Sequence, residues 1–215
     1  MMYDLFANET TGEHEQIGPA AWVLRGYALA SAPELLNAIQ ILEQISPFRH
    51  MTTPGGFTMS VALTNCGRFG WSSDESGYRY SQTDPLSGKA WADMPGIFMK
   101  LASEAAAAAG FPRFQPDACL VNRYLPGSRL SLHQDKDERD FSAPIVSVSL
   151  GMPAVFLFGG LKRTDKTQRI PLLHGDVVVW GGPDRLRYHG ILPLKDKPHP
   201  LLGSVRLNFT FRKAG

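Results

Sequence analysis

The stretch LSLHQD, residues 130–135, sets a histidine and an aspartate two positions apart at the end of an apolar run. Successive side chains of a strand alternate between faces, so His133 and Asp135 point the same way while Gln134 points elsewhere. An imidazole and a carboxylate on one side of an ion, joined by a second imidazole, form the two-histidine-one-carboxylate set that leaves positions open on non-haem Fe(II). Two later histidines qualify as the missing ligand, His174 in LLHGDVVVW and His189 in RYHGI. His189 is preferred, because it falls in a late strand after a glycine-rich turn. The pattern His-x-Asp is weak by itself. A histidine beside acidic residues is commonly a solvated loop residue, and DKDERD, 135–140, reads equally well as a charged surface turn.

The stretch RLNFTFR, 206–212, adds a second signal. With period two, Leu207, Phe209 and Phe211 share one face, and Arg206, Asn208, Thr210 and Arg212 share the other. If the apolar face packs outward beneath helices, two guanidiniums turn into the interior, where an unpaired charge is costly. They then need an anion. The planar fork of arginine suits bidentate carboxylate binding, and a pair at this spacing matches the two ends of a small dicarboxylate. In CLVNRY the same period puts Asn122 and Tyr124 on one face as neutral donors to such a pocket. The competing reading is an edge strand with both arginines in solvent.

These residues need a scaffold that holds distant segments together. From about residue 117 the chain reads as short strands rich in β-branched and aromatic residues: ACLVNRY, LSLHQD, IVSVSLG, AVFLFGG, RIPLLHGDVVVWGG, RYHGI and VRLNFTFR. Helical patterns are confined to the first half. In SAPELLNAIQILEQI, Ser31 and Glu34 have capping-box spacing, and Leu35, Ala38, Ile39, Leu42 and Ile45 form one apolar stripe. A second helix is expected from near Asp93, with Pro95 in its first turn and a stop at Gly110. Strand runs after helices favour an antiparallel jelly-roll core buttressed by helices, a mainly β (α+β) architecture. Residues 50–92 mix hairpin-like pieces with Gly, Ser and aromatics and are expected to form a flexible lid. One domain over 1–215 follows, with about 1–116 as helical support and lid and about 117–215 as the core.

Bulk properties exclude more than they identify. A chain of 215 residues with 43% hydrophobic and 20% charged residues fits a globular enzyme or binding domain, not a disordered or fibrous chain. With 22 Lys and Arg against 20 Asp and Glu, a nucleic-acid partner must be held by a local patch. Cys66 and Cys119 lack metal-knuckle spacing and suit a reducing compartment as buried thiols. The opening MMYDLFANETTGEHEQ has no leader pattern, and no apolar run approaches the ~20 residues of a membrane span. A cytoplasmic location is the resulting expectation.

The segments NRY, LHQDKDE, IVSVSLG, FGG, HGDVVVWGG, RYHGI and RLNFTFR, in that order, resemble the AlkB family of Fe(II)- and 2-oxoglutarate-dependent dioxygenases, specifically its bacterial DNA-repair members. TPGGFTMSVALTNCG and FQPDACL extend the likeness into the first half. The resemblance implies a double-stranded β-helix in which His133, Asp135 and His189 bind Fe(II). It implies 2-oxoglutarate with its far carboxylate on Arg206, Arg212 near the carboxylate at the metal, and Asn122, Tyr124 and Asn208 adding hydrogen bonds. O2 is the other co-substrate. The implied reaction is oxidative demethylation of 1-methyladenine and 3-methylcytosine in single- or double-stranded DNA, or in RNA, releasing formaldehyde, succinate and CO2 from a monomeric enzyme.

That chemistry requires the base to leave the stack, which gives the expected lid a nucleotide-recognition role. Trp71 becomes a stacking platform opposite the His133 ring. Asp137, one more strand period beyond Asp135, becomes an acceptor for an exocyclic amine. Tyr78, Thr53 and Arg163 become phosphate or base contacts, the last in a loop where Lys162, Lys166 and Arg169 add positive charge. The bland alternatives are a core tryptophan, a solvated turn acid and a solvated charged hairpin. Two other functions fit the core motifs: a 2-oxoglutarate oxygenase of a protein or small metabolite, and a non-catalytic metal-binding jelly roll. The inward arginine pair speaks against the last, since a closed structural site has no use for a dicarboxylate.

Overall fold

The protein is described as a computed structural model over residues 12–215. Residues 1–11, most of the N-terminal stretch read above for a leader, lie outside the described residues. In chain order the elements are β1 (His14–Gly18), β2 (Ala21–Leu24), α1 (Ala32–Ile45), β3 (Arg49–Thr52), β4 (Thr58–Gly67), β5 (Gly70–Asp74), β6 (Gly77–Ser81) and α2 (Gly96–Ala108). They continue as β7 (Ala118–Tyr124), β8 (Leu130–His133), β9 (Ile145–Gly151), β10 (Ala154–Phe158), β11 (Gln168–Leu172), β12 (Val177–Trp180), β13 (His189–Ile191) and β14 (Arg206–Arg212). An eight-stranded sheet runs β1-β2-β12-β9-β14-β7-β4-β3, a four-stranded sheet runs β11-β10-β13-β8, and β5-β6 pair separately.

Period-two patterning decides which side of the large sheet faces what. On β14, Leu207, Phe209 and Phe211 join Val146, Val148, Val177 and Val179 in an outer core against Leu35, Leu42, Phe98 and Leu101 of the helices. Phe98 meets Phe209 edge-on, with centroids 5.0 Å apart at 86°. The opposite residues, Tyr124, Ile145, Val178 and Trp180, pack against Phe156, Phe158, Ile170 and Ile191 of the small sheet. The helices therefore cover one face, and the cavity lies between the sheets. This is the mainly β, antiparallel architecture expected.

Several local expectations are corrected. Residues before 117 supply β1 to β4, half of the large sheet, so that region is more than helical support and lid. Part of the expected lid belongs to the core sheet, because β4 pairs with β7 from Ala62 to Gly67. Ser31 takes the N-cap position of α1 but makes no side-chain capping bond. Its φ of −93° and ψ of −7° continue a run of turns, and Pro33 removes an N–H from the first turn. The second helix starts at Gly96, after Pro95 at φ −55°, ψ 140°, and not near Asp93. Gly110, at φ +94°, terminates it as expected. The run RIPLLHGDVVVW is two strands, broken where the Asp176 carboxylate accepts the Leu173 N–H at 2.9 Å. That break carries the chain from the small sheet to the large one.

Candidate active site

The small sheet brings two histidines together by register. His189 opens β13 directly opposite His133 at the end of β8, and their ring centroids are 4.4 Å apart. Gly190 permits this close pairing: a Cβ there would sit 2.7 Å from the Leu130 carbonyl oxygen. Asp135 lies beyond the end of β8, so strand pairing does not aim it. Two arginine contacts do. Arg185 donates to the Asp135 backbone carbonyl at 2.8 Å, and Arg212 holds its Oδ2 through Nε at 2.9 Å and Nη2 at 2.7 Å. Asp135 Oδ1 is 3.7 Å from His133 Nε2, and Oδ2 is 3.7 Å from His189 Nε2.

This donor set suits a divalent ion. The potential ligand atoms of His133, Asp135 and His189 all lie within 4.8 Å of one another. His133 Nδ1 is 2.8 Å from the Ser131 carbonyl and His189 Nδ1 is 3.0 Å from the Arg187 carbonyl, which makes each Nδ1 the protonated nitrogen. Both Nε2 lone pairs are thereby turned to the shared centre. Burial and the neighbouring His133 push the His189 pKa down to about 4, so its imidazole is neutral and ready to ligate. Burial raises the Asp135 carboxyl, but its neighbours, Arg212 first among them, outweigh that and hold the group ionised. His174, the other candidate, is elsewhere: its Nδ1 accepts the Gly151 N–H at 2.9 Å and its ring stacks on His199.

The same cavity is lined by Asn122, Tyr124, Arg206, Asn208 and Thr210. Arg206 is 1% exposed. Its Nη2 donates to Ser149 Oγ at 3.0 Å and its guanidinium lies 4.9 Å from the Tyr124 ring centroid, but Nε and Nη1 have no partner. Burial lowers its pKa. A buried cation with two unanswered donors is the signature of an anion site. Arg212 differs from Arg206 in its surroundings: Asp135 and Glu138 lie against its Nε and Nη2. Asn208 is held by its neighbours on the same wall. Its amide donates to Ser147 Oγ at 2.8 Å and the Val148 carbonyl at 2.9 Å, while Oδ1 accepts from Thr210 at 3.1 Å.

In the separate hairpin Trp71 stacks on Tyr78, with centroids 5.5 Å apart and rings inclined at 14°. Trp71 Nε1 donates to Asp137 Oδ2 at 2.9 Å, which ties both residues to the segment carrying Asp135. Thr53 closes the β3–β4 turn, its Oγ1 accepting the Phe57 N–H at 3.2 Å. Arg163 lies exposed in the β10–β11 loop with Lys162 and Lys166. Sequence reasoning missed Glu138, Arg185 and Tyr80. Glu138 sits in the DKDERD stretch read as a surface turn, yet it is buried against Arg185 at 3.1 Å. The turn beyond β8 no longer follows strand alternation, so no periodic signal marked it.

Two histidines, a carboxylate and an unanswered arginine inside an antiparallel double sheet define a non-haem iron oxygenase that binds an anionic co-substrate. Comparison with known proteins agrees with this class. The description "2OG-Fe(II) oxygenase superfamily" matches residues 21–212. The alpha-ketoglutarate-dependent dioxygenase AlkB of Salmonella typhimurium is 58% identical, over 99% of this chain and 98% of its own. Its Escherichia coli counterpart is 57% identical, over 100% and 99%. The solved structure of OsALKBH1 superposes with a TM-score of 0.81 at 29% identity, covering 94% of this chain and 100% of that one. The chain belongs to the 2OG-Fe(II) oxygenase superfamily and, within it, to the AlkB family. It is an Fe(II)- and 2-oxoglutarate-dependent dioxygenase. No described helix is long and apolar enough to cross a membrane.

Proposed function

We propose that this dioxygenase removes N-alkyl groups from bases such as 1-methyladenine and 3-methylcytosine in DNA, with RNA as a second candidate substrate, and so reverses alkylation damage directly. The observation that carries this reading is the Trp71–Tyr78 stack bound to Asp137: a flat aromatic surface is hydrogen-bonded to a carboxylate two residues along the chain from the candidate ligand Asp135. An N-alkylated base is flat and cationic, and it has lost its pairing edge, which lowers the cost of leaving the helix. Stacking on such a surface contributes about 1 to 3 kcal/mol per base.

In this reading His133, Asp135 and His189 hold the ion. Arg206, with Tyr124 and Asn122 beside it, receives the far carboxylate of 2-oxoglutarate. Arg212 orients Asp135 and lies near the carboxylate at the metal, and Asn208 adds a hydrogen bond to the co-substrate while ordering the wall through Ser147 and Thr210. With O2, the iron and co-substrate supply the oxidation that turns the N-methyl carbon into formaldehyde and leaves succinate and CO2. Buried aromatic and aliphatic side chains, Phe156, Trp180 and Ile191, keep bulk water from that centre. Asp137 accepts from the exocyclic amine and favours the cationic base. Arg163 in its basic loop and Thr53 at the hairpin turn meet flanking phosphates, which makes binding salt-sensitive. All of this is placed in one domain over 1–215, with the β5–β6 hairpin as the nucleotide-recognition lid over a jelly-roll core, acting as a monomer.

The test is incubation with Fe(II), 2-oxoglutarate and a single-stranded oligonucleotide containing 1-methyladenine. Restored adenine with matching formaldehyde and succinate is expected. Succinate with unrepaired base would point to a protein or small-metabolite substrate, and neither product would point to a binding module.

A further inference from the structure

The β5–β6 hairpin touches the metal-binding segment twice, from both of its strands. Trp71 and Tyr80 are cross-strand partners and so share a face. Trp71 Nε1 reaches Asp137, and the Tyr80 hydroxyl donates to Glu138 Oε1 at 3.0 Å. That oxygen also lies 3.3 Å from Arg212 Nε, the atom that donates to Asp135 Oδ2 at 2.9 Å. Glu138 Oε2 is 3.1 Å from Arg185 Nη2, whose Nη1 donates to the Asp135 backbone carbonyl. An unbroken set of direct contacts therefore runs from the hairpin through Glu138 and Arg212 to the Asp135 carboxylate.

We propose that Glu138 is a positioning residue that couples occupation of the aromatic hairpin surface to the setting of Asp135, with Tyr80 as its contact on the hairpin. The inference rests on the reading of Trp71 and Tyr78 as the base-binding surface. Arg212 Nε donates to Asp135 and lies at ion-pair distance from Glu138 Oε1, so a shift of Glu138 changes the pull on the guanidinium that holds Asp135. Glu138 and both arginines are buried and the Asp135 side chain is only 9% exposed, where charge-assisted bonds are strong and poorly screened. A base that stacks on Trp71 and Tyr78 fixes the hairpin, and through Tyr80 it favours one position of Glu138. Differential affinity for the two settings is what coupling requires, and the effect is reciprocal. A merely structural Glu138, present only to neutralise Arg185 and Arg212, predicts a loss of stability with no change in coupling.

The experiment measures binding and not turnover. Fluorescence anisotropy of a labelled 1-methyladenine oligonucleotide gives its Kd for the full chain, with and without Mn(II) and N-oxalylglycine, an inert 2-oxoglutarate mimic. Loading the site should tighten oligonucleotide binding by about fivefold or more in the wild type. Tyr80→Phe keeps the ring and removes the hydroxyl; it should bring that ratio close to one while leaving the unloaded Kd nearly unchanged. Glu138→Gln should do the same, with thermal melting as the check on folding. A wild-type ratio of one, or an undiminished ratio in Tyr80→Phe, overturns the proposal while leaving the base-binding reading intact. Failure of the wild type to bind the oligonucleotide in either condition overturns both.

Discussion

Two arginines on the inner face of β14 share a strand, a face and near-complete burial, yet their surroundings are opposite. At one end Arg212 is bound by Asp135 and Glu138, and these acids with Tyr80 raise its pKa despite burial. At the other end Arg206 has a serine hydroxyl and the Tyr124 ring, and burial lowers its pKa. A buried charge whose partners are present is part of the framework. One whose partners are missing is stable only because the rest of the fold tolerates it, and that tolerance is understandable where a ligand completes the site. The difference supports the proposal that Arg206 takes the far carboxylate while Arg212 is first of all the partner of Asp135, a distinction that residue type and strand spacing alone left open.

The largest expected effect comes from removing the carboxylate that the Arg212 end exists to hold. Asp135→Ala should reduce turnover to background and abolish metal binding measured by calorimetry, while circular dichroism stays native because Glu138 still neutralises Arg212. Metal-dependent activity in this variant would take Asp135 out of the ligand set. Methionine substitutions then separate the two arginines. Arg206→Met should weaken 2-oxoglutarate by about thirtyfold or more, the equivalent of about 2 kcal/mol or more for a buried ionic contact. It should also make the ligand-free protein more stable, since the cost of burying a cation without an acid partner exceeds that of the single hydrogen bond lost to Ser149. Arg212→Met should instead destabilise by about 3 to 5 kcal/mol, because Asp135 and Glu138 lose their shared counter-charge. Urea unfolding of both variants without ligand checks the signs; equal destabilisation would erase the distinction.

The sequence revealed most where period-two patterning and burial coincide. Leu207, Phe209 and Phe211 against Arg206, Asn208, Thr210 and Arg212 divided the β14 faces correctly, because a strand buried on one side by helices cannot slip by one residue without inverting both. His133 and His189 were legible for a similar reason, as both belong to paired strands. Asp135 was found by an argument that holds only in part: it lies beyond β8 and is aimed by Arg212 and Arg185, not by alternation. Glu138 and Tyr80 were invisible because a buried acid in DKDERD has the same letters as a solvated one, and only tertiary contact tells them apart. The place of β3 and β4 in the large sheet was obscured by Gly- and Ser-rich surroundings that resemble a loop.

The smallest expected effect is a graded one, set by acid. His189 sits at the Arg212 end and His174 accepts from Gly151, the register partner of Arg206. Burial chiefly holds both at about 4, with His133 and His199 respectively adding to the shift. Histidines with folded pKa values below the unfolded 6.5 stay neutral in the fold but take up protons on unfolding. Their contribution to stability is therefore complete above pH 6.5 and is lost as pH falls from 6.5 towards 4. Asp135, also depressed, adds its own loss only below the ordinary aspartate range. Urea midpoints of the ligand-free protein should fall steadily through the histidine window. His174→Gln, which keeps an acceptor for Gly151 but cannot take a proton, should flatten part of that slope, and His189→Gln should flatten another part. Because the two histidines report on opposite ends of β14, additivity of the two variants tests whether those ends are energetically independent. A double variant that departs from the sum would show that the paired arginine and the unpaired one answer to a common network across the cavity.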